Sequence, residues 1–191
     1  MLALRSPFTE EKIRQLKVGD AVTLSGVVFT GRDAVHHYLF KGGELPTGVN
    51  LRDGIIYHCG PVVIQDEQGN WKVTAAGPTT SAREEPFQGE IIRRFGVRGV
   101  IGKGGMGDQT LAACREHGCV YFHAVGGAAQ VLAECITGVR NVYFLEKFGS
   151  PEAIWEFEVK DFPVVVTMDS RGNSLHKEVL AASRAELARR L

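Results

Sequence analysis

Two stretches hold residue types suited to gripping an anion. Val97–Cys114, VRGVIGKGGMGDQTLAAC, sets five glycines and Lys103 between an apolar run and a helix-forming one. Glycines carry no Cβ, so neighbouring backbone N–H groups can converge on one ligand. A helix start adds partial positive charge, with Asp108 placed to cap it. Lys103 and the amide of Gly104 would then face the ligand. The second stretch, AAGPTTSAREEPF, presents Thr79, Thr80 and Ser81 and then Arg83. Hydroxyls donate single hydrogen bonds, and a guanidinium forks onto two oxygens. Arg32, which opens GRDAVHH behind a strand-like run, is a third cation. Three cations on three strand-to-helix turns suit a small dianion, and a carboxylate fits them as well as a phosphate does. The plainer alternatives are an N-cap cluster at Thr79–Ser81 and a tight turn with a solvated lysine at Lys103.

Nucleotides fit these motifs poorly. Gly102, Gly104 and Gly107 meet the letter of G-x-G-x-x-G between a strand and a helix. That fingerprint also needs an acid about 20 residues on, for the ribose hydroxyls. The next strand instead ends YFHAVGGAA, without a carboxylate. A Walker A reading fails because Lys103 is followed by Gly104 rather than Ser or Thr.

Alternating elements must position these turns. VRGVIG, DQTLAACREHG, CVYFHAV, GGAAQVLAECI and NVYFLEKF read as strand, helix, strand, helix, strand, the pattern of βαβ units and a largely parallel sheet. Upstream, Thr9 caps a short helix, AVTLSGVVFTG is a strand, and GRDAVHHYLFKGG is a helix closed by glycines. GIIYHCGPVVI and WKVTAAG are strands around a hairpin turn at Gln68–Asn70, and a helix from Pro86 stops at Gly96. AIWEFEVKDFPVVVTMDSRGNSL suggests two strands joined near KDFP, before a terminal helix from about residue 175. The expectation is an α/β fold: one compact domain over 1–191 with a mixed, partly parallel sheet.

Bulk properties narrow the class. Lysine plus arginine and aspartate plus glutamate are 22 each, which argues against nucleic-acid binding through bulk basic charge. No apolar run is long enough to span a membrane and the first residues lack a secretory pattern, so a cytoplasmic location is expected. Cys59, Cys114, Cys119 and Cys135 show no metal-ribbon or redox spacing and read as reduced, mostly buried thiols. Adjacent His36 and His37 diverge by about 100° on a helix, which disfavours a shared metal with His58 and Cys59. His123 reads as a partly buried histidine near the turns.

In order, GRDAVHHYL, YHCGPVV, AAGPTTSAR, GVIGKGGMG, YFHAVGGAA and EFEVKDFPVVVTMDSRGN make up a pattern. It resembles the β subunit, or C-terminal half, of class I iron–sulfur fumarate hydratases and L-tartrate dehydratases, over about residues 10 to 180. The resemblance implies a swivelling β/β/α domain that works with an α subunit, in an α2β2-type hetero-oligomer; the isolated chain could form a homodimer. The α subunit would ligate a [4Fe–4S] cluster, with no cluster or metal ligands on this chain. It implies a hydro-lyase of the tricarboxylic acid cycle that hydrates fumarate reversibly to L-malate. The alternatives are tartrate to oxaloacetate, or a stand-alone anion- or nucleotide-binding module. By motif, Thr79 matches the base for the C–H proton, assisted by an aspartate of the α part, while Arg32, Arg83, Lys103 and Gly104 match the substrate-binding positions.

Overall fold

Short runs of β-branched and aromatic residues build the frame. The computed structural model describes residues 1–190. Ile55–Tyr57 (β3), Gly99–Gly102 (β6) and Val120–His123 (β7) lie parallel, with Ile56 beside Val100 and Val100 beside Tyr121. Ala21–Thr30 (β2) adds in parallel to β3 through Phe29 and Thr30. Leu2–Arg5 (β1), short and mostly exposed, runs parallel to the start of β2.

Ile154–Met168 (β9) closes this set. It pairs antiparallel with β2 along one edge and with β7 along the other, so β2, β3, β6, β7 and β9 form a ring. The tail expected as two strands is therefore one strand of 15 residues. Asp161 in the left-handed region (φ 51°) and a register shift against Leu24–Gly26 bend it where KDFP suggested a break. A bulge of that kind lets one strand turn around a barrel. Ring closure removes sheet edges that an open sheet would leave unpaired.

Two further differences from expectation share that cause. The strand expected at NVYFLEKF starts earlier, as Ile136–Tyr143 (β8), and pairs antiparallel with β9 instead of extending the parallel set. Its last residues form the short helix Leu145–Phe148 (α6). β9 occupies the place beside β7 that a continued βαβ series would have taken.

Side chains alternate across the ring. Ile55, Tyr57, Ile101, Val120 and Phe122 point inward with Phe157, Phe162 and Val166 of β9, forming an apolar interior. Phe29, Ile56, Val100 and Tyr121 point outward. Asp33–Phe40 (α2), Glu85–Phe95 (α3) and Asp108–His117 (α4) cover that outer face with Val35, Leu39, Ile91, Ile92 and Leu111. α3 ends as expected at Gly96, whose left-handed φ of 67° suits glycine.

The remaining elements are peripheral. Glu10–Arg14 (α1) follows Thr9, whose side chain makes no capping bond. Val62–Gln65 (β4) and Trp71–Ala75 (β5) form the expected hairpin, and β5 packs on Ala129–Glu134 (α5). Leu175–Arg190 (α7) ends the described chain with no fully buried residue. No helix of the described residues is long and apolar enough to cross a membrane.

Candidate active site

All four parallel strands of the ring open their C-terminal ends on one side, and the expected site residues stand there. Arg32 follows β2 after Gly31, His58 and Cys59 follow β3, and Lys103 follows β6. The Pro78–Ser81 segment is laid between the last two. The Thr79 N–H donates to the His58 carbonyl (2.6 Å), the Lys103 N–H to the Thr79 carbonyl (3.2 Å), and the Ser81 N–H to the Lys103 carbonyl (3.0 Å). Thr79 and Lys103 are thus held by backbone pairing, which side-chain fluctuation does not loosen.

Ser81–Glu84 then form a 3₁₀ turn ahead of α3. Thr80 is its N-cap without a side-chain capping bond, so the hydroxyl run is no simple cap cluster. Arg83, on this turn, forks onto both carboxylate oxygens of Asp33, with Nε at 2.9 Å from Oδ1. Arg32 approaches the same carboxylate, with Nη2 3.8 Å from Asp33 Oδ2 and Nε 3.3 Å from Glu152. A Cβ at Gly60 would collide with the Arg32 guanidinium, which accounts for glycine there. Lys103 takes part in no ion pair among the described residues. Its stem runs over Gly126, where a Cβ would meet Cδ at 3.4 Å. Gly104, beside it, has φ +82°, a left-handed backbone that side chains resist.

One expected contributor is filled from within. The start of α4 was expected to offer amides to a bound anion, capped by Asp108. Asp108 instead lies inside the helix and pairs with Lys177. The anion at that helix start is the Glu85 carboxylate, which accepts from the N–H of Gly107 (2.7 Å) and of Gln109 (2.9 Å) and from the Thr110 hydroxyl (2.7 Å). The glycine loop therefore offers Lys103 and Gly104, not its helix dipole.

Beneath the turns lies a buried polar layer that includes two of the histidines for which a shared metal was disfavoured, His36 and His58. Gln88 of α3 bridges the Nε2 atoms of His36 and His58, each at 2.9 Å. His58 Nδ1 meets the Ser81 hydroxyl at 2.9 Å, and the Tyr121 hydroxyl donates to the same oxygen at 2.9 Å. Burial holds both histidine pKa values below the usual range, furthest for His58, which also feels His36. Glu84, fully buried, makes no hydrogen bond, and its pKa is pushed up to about 7 by burial and then by Asp33 and Glu152. Asp33 was legible as the neighbour of Arg32 in the sequence; Glu152, more than a hundred residues away, carried no signal at all.

Gathered on one rim, a hydroxyl, a lysine without an ion pair among the described residues, two arginines and the Gly104 amide can hold a small carboxylate and exchange a proton with it. The family model described as Fumarase C-terminus matches residues 1–179. The chain belongs to the fumarase C-terminus family. Within it, the chain is 56% identical over 188 residues to the "Putative fumarate hydratase class I" of Geobacillus stearothermophilus, covering 98% of the chain and 36% of that relative. The chain thus spans about a third of that relative's length. It is 42% identical to the "Putative L(+)-tartrate dehydratase subunit beta" of Methanocaldococcus jannaschii, covering 90% of the chain and 89% of that relative. It is 35% identical to the "L(+)-tartrate dehydratase subunit beta" of Escherichia coli K12, covering 92% and 86%.

Iron–sulfur chemistry, which the family resemblance implies, needs soft thiolate ligands gathered in space. Among the described residues no three His, Cys, Asp or Glu side chains are grouped to hold a metal. Cys59, Cys114 and Cys119 are free and buried, and Cys59 is pushed up to about 12 by burial. These residues do not fit a cluster.

Proposed function

We propose that this chain is the β part of a hydro-lyase that hydrates fumarate reversibly to L-malate, working with an α polypeptide that carries the [4Fe–4S] cluster. The observation that carries this is the convergence of Arg32, Thr79, Arg83 and Lys103 on three adjoining turns, with Lys103 in no ion pair among the described residues. The 56% identity to a relative named as a class I fumarate hydratase supports the choice of fumarate. The relatives named as β subunits support a two-part enzyme.

In this reading Lys103 and the Gly104 amide grip one carboxylate of the substrate. Arg83 adds the edge of its guanidinium that Asp33 leaves free, and Arg32 closes the side toward Glu152. These cations stabilise the charge that gathers on the carboxylate as the neighbouring C–H proton leaves. Thr79 Oγ1 takes that proton. A threonine hydroxyl is a poor base near neutral pH, so a partner carboxylate must draw away its own proton. Packed against the rim, the α polypeptide excludes water and presents that carboxylate.

L-tartrate is the second reading, favoured by the two relatives named as tartrate dehydratase β subunits that match most of their length. The test is anaerobic reconstitution of the chain with its cluster-bearing partner, assayed on fumarate, L-malate and L-tartrate beside the chain alone. Turnover by the complex only, faster with fumarate, is the expected result. Activity from the chain alone would overturn the two-part scheme, and an intact but inert complex would overturn the hydro-lyase.

A further inference from the structure

His36, His58, Gln88, Ser81 and Tyr121 lie between the outer face of the ring and helices α2 and α3, and nothing in the proposed reaction uses them. Their contacts touch all three turns of the site. His36 Nδ1 is 2.9 Å from the carbonyl of Arg32, on the first turn. Ser81 belongs to the second turn. The third turn starts at Gly102, where a Cβ would meet the Tyr121 hydroxyl at 3.0 Å. A Cβ at Gly102 would collide with the Ser81 hydroxyl, so glycine there makes the room that this arrangement needs.

Proton placement follows from the acceptors. A carbonyl cannot donate, so the proton of a neutral His36 sits on Nδ1 and its Nε2 is an acceptor. Whatever faces that Nε2 must donate, and only the NH2 end of the Gln88 carboxamide does so. Carboxamide oxygen and nitrogen are distinguished by their partners alone. With oxygen toward both rings, His36 would have to be a buried cation, whereas in either orientation the outer carboxamide atom is buried without a partner. With nitrogen toward the rings, the two hydrogens of one NH2 meet the two imidazole Nε2 atoms. His58 then carries its proton on Nδ1 and donates to Ser81 Oγ. Burial, which lowers both histidine pKa values, acts in the same sense.

We propose that Gln88, His36, His58, Ser81 and Tyr121 form one hydrogen-bonded strut that positions the three turns bearing Arg32, Thr79 and Lys103 relative to one another. They are positioning residues that need never touch the substrate. The strut rests on the proposed function only in what it positions; its bonding pattern is a property of the chain itself.

Two measurements test it. Ring-nitrogen NMR of the isolated full-length chain near pH 7 should show both buried histidines as neutral Nδ1–H tautomers. Gln88→Glu places a carboxylate against two acceptor nitrogens and should disturb both rings. An Nε2–H tautomer at His58, or an imidazolium at His36, would overturn the bonding pattern. In the reconstituted complex, Tyr121→Phe removes one hydroxyl without opening a cavity. It should lower kcat/KM for the dicarboxylate on the order of 10²-fold, the scale of an ångström-sized misplacement. Amide exchange at Gly104 and Gly105 of the isolated variant should quicken in parallel. Unchanged exchange, with thermal stability alone reduced, would mean that the network only packs the fold and would overturn its positioning role. An inert wild-type complex would count against the hydro-lyase reading, and the ring-nitrogen shifts and amide exchange would still decide the strut.

Discussion

The ring interior and the layer under α2 and α3 are both closed to solvent, yet the interior is almost wholly apolar while the layer sets a polar cluster among its apolar side chains. Inside the ring, Tyr57, Phe122, Trp155, Phe157 and Phe162 pack against aliphatic neighbours, and Trp71 meets Trp155 edge-on at 5.1 Å. In the outer layer His36, His58, Ser81, Glu84 and Gln88 are buried together. Apolar burial is non-directional and stabilises in proportion to area. Hydrogen bonds add little net stability but fix angles, and they cost heavily when left unmade. The interior therefore holds the fold, and the polar layer sets where three particular turns sit.

Substitutions can break that division, starting with the largest effect. Trp155→Ala removes a fully buried ring and its Nε1–H bond to the Ser150 carbonyl, and should cost roughly 3–5 kcal/mol of stability. Denaturant unfolding measures it, and ring-nitrogen NMR of the surviving folded fraction should show the His36 and His58 tautomers unmoved. A tautomer change would show that the two regions are not independent.

On the rim, Lys103→Ala should do the reverse. It should lower kcat/KM of the reconstituted enzyme by roughly 2–5 kcal/mol of interaction, by analogy with other partners of a buried charge. Stability of the chain should change by less than about 0.5 kcal/mol, since the Lys103 side chain makes no ion pair among the described residues and its backbone bonds survive the substitution. Near-normal turnover would remove Lys103 from the proposed clamp.

Glu84 sharpens the contrast through pH. Asp33, Glu152, Arg32, Arg83 and His36 surround it, and its pKa is raised from 4.5 to about 7. A carboxyl whose folded pKa is raised binds its proton more tightly folded than unfolded. Its contribution is thus full below about pH 4.5 and is lost as pH rises through 7, by up to about 3 kcal/mol. Glu84→Gln should flatten that part of the stability-against-pH curve. An unchanged slope between pH 4.5 and 7 would show that Glu84 is ionised throughout.

The smallest effect concerns the filled helix start. Glu85→Ala strips the carboxylate from Gly107, Gln109 and Thr110, and should cost roughly 1–2 kcal/mol, the worth of an N-cap. Thermal unfolding measures it. A gain in dicarboxylate affinity in that variant would show that the α4 start competes for the substrate after all.

Much of this was readable from residue order, because it depends on near neighbours. The short apolar runs of β3, β6 and β7, the glycine stop after Phe95 and the hairpin around Gly69 are local matters. So are the motifs around Arg32, Thr79, Arg83 and Lys103, whose family pattern named the site. Tertiary structure alone decided what long-range pairing controls. β9 closed the expected mixed, partly parallel sheet into a ring, because the sequence cannot say which distant edge a strand will find. Glu85 rather than Asp108 reached the α4 start, and Glu152 met Arg32 from more than a hundred residues away. His36 and His58 became one network only when α2, α3 and β3 met around Gln88, because a hydrogen bond depends on where two atoms lie and not on how far apart they are in the chain.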